Sequence, residues 1–366
     1  MSIEFTIQAI TNTVPTYLNQ AIDLTLRKRF VLSYLKKAGR ILTNTAGPSI
    51  TWNVTYKQPD VRSTNGNRAS FSMANTKKQL SLGFAQLEST NAIDRNTLMV
   101  NSSPSQIVNL AEEMTRECVA AITDTISDQI YYDNTNDPAS LAGFKTLLNG
   151  DAGAATDLCA VPAAGSTYGG LSMVLGAFGG NWSAELPTPL CSSLTNDWPE
   201  GSGSAQYDFM APKFFNYNGD WTGGGVNNWR STCEMIMRRA AVSINALGGE
   251  GAAPSIHLLP TGMYTTFQDS CQDRERLQPS DYAKSMGFPD MMTYAGALLA
   301  YDYSCPAATG YAFNPAEMAL CSMAKDLLYT DGPTWSIVEQ AYLFLVGFTG
   351  NIRFNPKYIA TYGAFS

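Results

Sequence analysis

The chain alternates apolar and polar positions most clearly between Ser49 and Leu87. Apolar residues fall at every second place at Ile50, Trp52, Val54 and Tyr56, and again at Leu80, Leu82 and Phe84. That is the period of strands that bury one face. Between them Gln58 to Asn75 is polar and carries Pro59, Gly66, Arg62 and Arg68. The stretch predicts one long β-hairpin. A two-stranded hairpin is marginal alone in water, so its apolar face needs a cover. The flanking sequence offers no local partner, which leaves a neighbouring subunit or the edge of the chain's own sheet. On the first reading Trp52, Val54, Tyr56, Arg62, Arg68, Leu80, Leu82 and Phe84 are inter-subunit contacts.

A four-residue step takes over on either side of the hairpin. Leu18, Ile22, Leu26 and Phe30, joined by Val31, Tyr34 and Leu35, predict an amphipathic helix from Pro15 to about Lys37. Gly39, then Gly47 and Pro48, end it. Arg27, Lys28, Arg29, Lys36, Lys37 and Arg40 crowd its polar face. After the hairpin, Ser103 and Pro104 supply an N-cap and a first-turn proline for the strongest helix of the chain. Its stripe is Ile107, Leu110, Met114, Cys118, Ala121, Ile122, Ile126 and Ile130, with no internal glycine or proline. At ~1.5 Å per residue it predicts a strut of roughly 40 Å, ending near Tyr132. Asp133 to Asp137 reads as a polar turn, too poor in ligands for a calcium loop.

Residues 145–230 are rich in Gly, Ala, Ser, Asn and Trp and predict irregular loops with short strands. Gly223 to Gly225 lacks the Lys and Ser or Thr of a phosphate loop. Order returns with a helix from Asn227 to Ile244, a strand from Ser255 to Leu259 and a helix from Thr261 to Cys271. A strand from Ala297 to Tyr303 and a turn from Pro306 to Gly310 lead into Tyr311 to Phe313. A strand from Ala341 to Phe348, a turn at Thr349 to Asn351, and strands at Ile352 to Phe354 and Tyr358 to Tyr362 close the chain. The long helix is expected to cover these last strands.

Composition narrows the class. The chain has 366 residues, 45% hydrophobic and only 15% charged, and a net charge of −7. So low a charged fraction suits a subunit whose sides are covered by other copies. The acidic balance argues against a tight, general nucleic-acid binder. Seven cysteines, with no pair in a Cys-x-x-Cys spacing, indicate neither a zinc site nor a disulfide framework and read as reduced core residues. The N-terminus lacks the charged and apolar regions of a signal peptide, and no apolar run is long enough for a membrane helix.

No catalytic constellation emerges. His257 is the single histidine, on an apolar strand, and reads as a satisfied core residue. No glycine elbow surrounds a serine, so a Ser-His-Asp triad has little to stand on. Glu112 with Glu113, and Asp273 with Glu275, have the spacing of a solvated helix face. No cofactor and no metal site is expected.

The order of parts, with several local motifs, resembles the major capsid protein of tailed bacteriophages, the Hong Kong 97-type fold. The motifs are Gly287-Phe288, Tyr294, Ala300-Tyr301-Asp302, Cys305-Pro306 and Gly310 to Asn314. Thr167 to Ser172 with Asn181-Trp182, and Gly350 to Pro356, add to them. The resemblance implies an α+β fold of N-terminal arm, extended-loop hairpin, spine helix, peripheral domain and axial domain. It assigns 1–48 to the arm and 49–92 to the extended loop. It gives 93–175, completed by 333–366, to the peripheral domain with its spine helix, and 176–332 to the axial domain.

The function implied is an icosahedral head shell around a double-stranded DNA genome, assembled in the bacterial cytoplasm and carried in the virion. Its partners are its own copies as hexamers and pentamers, with separate scaffolding, portal and decoration proteins and no membrane. Because the arm helix starts so near Met1, no fused scaffolding segment is expected. Arg27, Lys28, Arg29, Lys36 and Lys37 would touch packaged DNA without sequence preference, or pair with acidic groups of a neighbouring subunit. Some members crosslink a hairpin Lys to a neighbour's Asn near a Glu. Lys57, Lys77 or Lys78, Asn351 or Asn355, and Glu339 are the residues here that match in type. The rivals are an encapsulin-like nanocompartment shell, which shares the fold, and a secreted binding module suggested by the Trp- and Gly-rich stretch 180–230.

Overall fold

The computed structural model describes residues 29–55, 76–100, 104–134, 137–147, 159–160, 167–172, 213–248, 253–271 and 291–364. The first half holds α1 (Phe30–Lys37), β1 (Ile41–Leu42), β2 (Ile50–Thr55), β3 (Lys77–Leu82), β4 (Ala85–Asp94), α2 (Arg95–Val100) and α3 (Pro104–Gln129). Short pieces follow: α4 (Phe144–Leu147), β5 (Cys159–Ala160), β6 (Thr167–Tyr168), β7 (Leu171–Ser172) and β8 (Lys213–Asn216). Then come α5 (Trp229–Gly248), β9 (Ile256–Leu259), α6 (Thr261–Cys271), β10 (Met292–Tyr294), β11 (Ala297–Tyr301) and β12 (Thr309–Phe313). The chain closes with β13 (Met318–Ser322), β14 (Tyr329–Ser336), β15 (Ala341–Phe354) and β16 (Ile359–Gly363).

α3 is the expected strut. Cys118, Val119, Ile122 and Ile126 are buried at helical spacing, so one face meets the sheet of β4 and β15. Polar groups inside this stripe are satisfied locally: Thr115, Thr123 and Ser127 donate to carbonyls one turn back at 2.7–2.9 Å. Two expected members differ. Ala121 is exposed and Met114 half-buried, because both lie at the margin of the buried stripe. The helix ends at Gln129, and Phe144 N–H then donates to Ile130 O at 2.7 Å, which turns the chain back under it.

β15 organises a five-stranded sheet. β4 pairs along one side of it from Ala85 to Asp94, while β14 and then β13 pair along the other, and β1 adds to β13 in parallel. The expected turn at Thr349 to Asn351 is absent; the strand runs straight through. Gly350 serves close packing there, since a Cβ on it would lie 2.1 Å from Cys321 O on β13.

The second sheet has seven strands in the order β10-β11-β9-β12-β16-β8-β5. Every residue of β8, β9 and β16 is buried, the signature of strands covered on both faces. Trp229 from α5 packs on Tyr362 on one face. On the other, Phe144 stacks on Tyr311 at 4.7 Å and touches Tyr131, Phe313 and Phe354, joining the two sheets.

Sheet membership cuts the chain differently from the four expected spans. The span 49–92 ends inside β4, which belongs to the five-stranded sheet. β13 and the first half of β14, expected within 176–332, lie in that sheet too, and β16, expected with 333–366, joins the seven-stranded sheet. The cause is Pro356, which cannot continue β15 and starts a 3-10 turn that redirects the last strand.

Candidate assembly surface

The expected hairpin forms. Ile50 lies opposite Leu82, Trp52 opposite Leu80 and Val54 opposite Lys78, in a two-stranded sheet that joins neither larger one. Its base is covered from within the chain, which corrects the reading of Trp52, Leu80 and Leu82 as left for a neighbouring subunit. Leu80, Leu82 and Ile50 are buried, and Trp52, Val54 and Phe84 are half-buried against the same core. The cover is the turn between β6 and β7. Tyr168 lies 6.0 Å from the Trp52 ring, and Ser81 N–H donates to Gly169 O at 3.1 Å. Gly169 has φ +59° and a Cβ there would meet Leu80 Cβ at 2.8 Å, so glycine alone allows the contact. Tyr168 fastens the turn to β15, donating to Ile352 O at 3.3 Å and accepting from Phe354 N–H at 3.0 Å. These residues stand more than eighty positions from the hairpin, so flanking sequence could not reveal them. Tyr56, Arg62 and Arg68 lie outside the described residues.

The basic segment divides as well. Arg27 and Lys28 lie outside the described residues, and Lys36 and Lys37 are exposed on the last turn of α1. Arg29 is no solvated charge. Its side chain is 17% exposed, and its guanidinium pairs with Asp124 of α3 at 2.9 Å, within its own chain.

Of the residues weighed for chemistry, Asp273, Glu275 and Lys57 lie outside the described residues. His257 is buried, with Nδ1 2.8 Å from Tyr362 OH, and burial lowers its pKa to about 4. Cys118, Cys233, Cys271, Cys305 and Cys321 are free and buried. Among the described residues no group of three His, Cys, Asp or Glu is placed to hold a metal ion. Asn351 is committed on both atoms: Oδ1 accepts from Ala142 and Ile352 N–H, and Nδ2 donates to Gly83 O at 2.8 Å. Asn355 Nδ2 donates to Glu317, and Glu339 is exposed.

Sequence reasoning missed the most open apolar feature. At the tip joining β14 to β15, Ile337 is 82% and Val338 94% exposed, and Trp335 beside them is partly open. α2 starts at the same end, where Arg95 N–H donates to Gln340 O at 3.0 Å, and its Met99 is 66% exposed. Behind the tip, a shallow groove of about 560 Å³ runs over Thr90, Ala92, Leu343 and Leu345 with Asp331 and Glu339 on its rim. Large apolar side chains inside a four-residue connection were the available signal, since such connections are ordinarily polar.

The sequence matches no family model and no curated protein. Solved structures do match. The capsid of the native GTA particle superposes with a TM-score of 0.52 at 8% identity, over 91% of this chain and 90% of that one. The capsid of the empty GTA particle gives 0.53 at 9% identity over 91% and 89%. The capsid asymmetric unit of Cyanophage A-1(L) gives 0.53 at 12% over 89% and 90%. The architecture described above is thus shared over nine-tenths of the chain: this chain has the Hong Kong 97-type fold seen in those capsid structures.

Proposed function

We propose that the protein is the major subunit of an icosahedral shell that encloses the double-stranded DNA of a tailed phage, a structural and non-catalytic role. The observation that carries this reading is reciprocal coverage. About nine-tenths of this chain and of each capsid chain align, which supports reading the chain as a shell subunit. The open apolar tip supports it, since exposed groups of this kind mark surfaces that other protein covers. The partners are further copies arranged as hexamers and pentamers, with scaffolding, portal and decoration proteins supplied separately. The place of action is the virion, assembled in the host cytoplasm. No described helix is long and apolar enough to cross a membrane.

Electron microscopy of the expressed full-length chain tests this reading. Closed shells or capsomer rings are expected, and isolated subunits at every concentration would overturn it. Particles from the native source should contain nuclease-resistant double-stranded DNA. Particles filled with an enzyme and free of DNA would identify a nanocompartment.

A further inference from the structure

The arm is fastened to the rest of the subunit at a three-way junction. Arg29, at the start of α1, pairs with Asp124 of α3 and donates from Nη1 to Ser304 Oγ at 3.0 Å, in the turn after β11. Its guanidinium also lies 5.9 Å from the Tyr303 ring centre. Beneath it sits Asp302, 5% exposed. The Asp302 carboxyl accepts from Val31 N–H at 3.4 Å and Ser304 N–H at 3.1 Å. Among the described residues no cationic group lies within ion-pairing distance of it, because the donors of Arg29 go to Asp124 and Ser304. The buried Tyr131 hydroxyl, two residues past the end of α3, faces this carboxyl and favours its charged form.

A carboxylate so stripped of water, with two backbone donors and no contacting cation, is costly to keep charged. A proton on Asp302 removes that cost. We propose that this junction is a proton-linked latch for the N-terminal arm, firmest when Asp302 is protonated and looser once the proton leaves.

The groups facing Asp302 are Arg29 from the arm, Tyr131 just past α3 and Cys305 from the turn; Asp124 and Asp128 of α3 face Arg29, and Tyr311 of β12 lies beside Tyr131 and Cys305. Burial raises the Cys305, Tyr131 and Tyr311 pKa values well above their ordinary range, so these groups stay neutral while carboxyls titrate. Burial raises Asp302 too, against the opposing pull of the Ser304 N–H, the Tyr131 hydroxyl, the Val31 N–H and Arg29. The sign follows from the closed junction holding its proton more tightly than an open, hydrated one. Acid therefore favours closure down to the ordinary carboxylate range, and rising pH loosens the latch through the raised value.

Hydrogen exchange at the Val31 and Leu32 amides of the full-length chain, corrected for intrinsic rates and run from about pH 4 to pH 8, tests the latch. Protection should fall as pH rises, about tenfold for each unit by which closure raises the Asp302 pKa. Asp302→Asn should keep protection high and flatten the profile. Arg29→Lys should lower protection throughout and keep the slope. A flat wild-type profile, or a slope that survives in Asp302→Asn, overturns the proposal. So does an Asn variant unprotected at every pH, since Asp302 would then be only a backbone acceptor. Should that variant fail to fold, the wild-type profile decides alone.

Discussion

The two sheets differ in how completely the chain itself covers them. The seven-stranded sheet is closed on both faces, by α5 with Trp229 on one side and by Phe144 and Tyr131 on the other. Among the described residues, α3 covers one face of the five-stranded sheet. Its other face leaves Leu343 and Leu345 half-open, and its tip puts Ile337 and Val338 into solvent. A sheet finished within one chain makes folding depend on every residue in it. A sheet left open separates the groups that hold the fold from those that remain available for the proposed assembly.

The largest expected effect lies on the covered face of the five-stranded sheet. Ile122→Asp buries an unpaired charge beneath α3 and should cost more than about 4 kcal/mol, enough to lose the fold. Far-ultraviolet dichroism and a thermal melt measure it. A wild-type melting temperature would show that α3 does not supply the cover, and the contrast between the sheets would collapse.

Leu80→Ala probes a cover of the third kind, the turn over the hairpin base. Removing this fully buried side chain should cost about 2–5 kcal/mol in a urea titration. An effect under ~0.5 kcal/mol would mean that the hairpin contributes nothing to the isolated subunit.

The closed sheet should also betray itself through acid. His257 is neutral in the fold, with a pKa of about 4 against roughly 6.5 in an unfolded chain. Its contribution is complete above pH ~6.5 and is lost as pH falls toward 4, because the unfolded state takes up the proton first. The loss is on the order of 3 kcal/mol. His257→Gln retains a polar partner for Tyr362 OH and does not titrate, so its stability should fall less over that range. Identical acid profiles for the two proteins would refute the assignment.

The smallest effect on folding belongs to the tip. Ile337→Ser combined with Val338→Ser should leave the melt within about 0.5 kcal/mol of wild type, as exposed positions do. Shell formation, scored by microscopy or sedimentation, should be lost. Normal shells from the double variant would show that the open end of the sheet is not an assembly surface.

Much of the secondary structure was legible in the order of residues. The α6 helix runs from Thr261 to Cys271 as periodicity predicts, β9 and β12 fall where expected, and α3 is the anticipated strut. β4 was not legible, because Glu88, Ser89, Thr90 and Asn91 carry no apolar alternation; pairing with β15 alone makes them a strand. The straight course of β15 through Gly350 was hidden for a related reason. A glycine that reads locally as a turn is there to let β13 approach.

Local sequence by itself determined that 50–82 forms a hairpin, that α3 has one apolar face, and that His257 sits on a buried strand. These depend on periods of two and 3.6 residues, which a short window contains. The tertiary structure alone decided that Tyr168 and Gly169 cover the hairpin and that Arg29 pairs with Asp124. It alone carried the last strand into the seven-stranded sheet and left Ile337 and Val338 open. Each of those outcomes joins, or fails to join, groups far apart along the chain, and periodicity fixes which face of an element is apolar without saying what will lie against it.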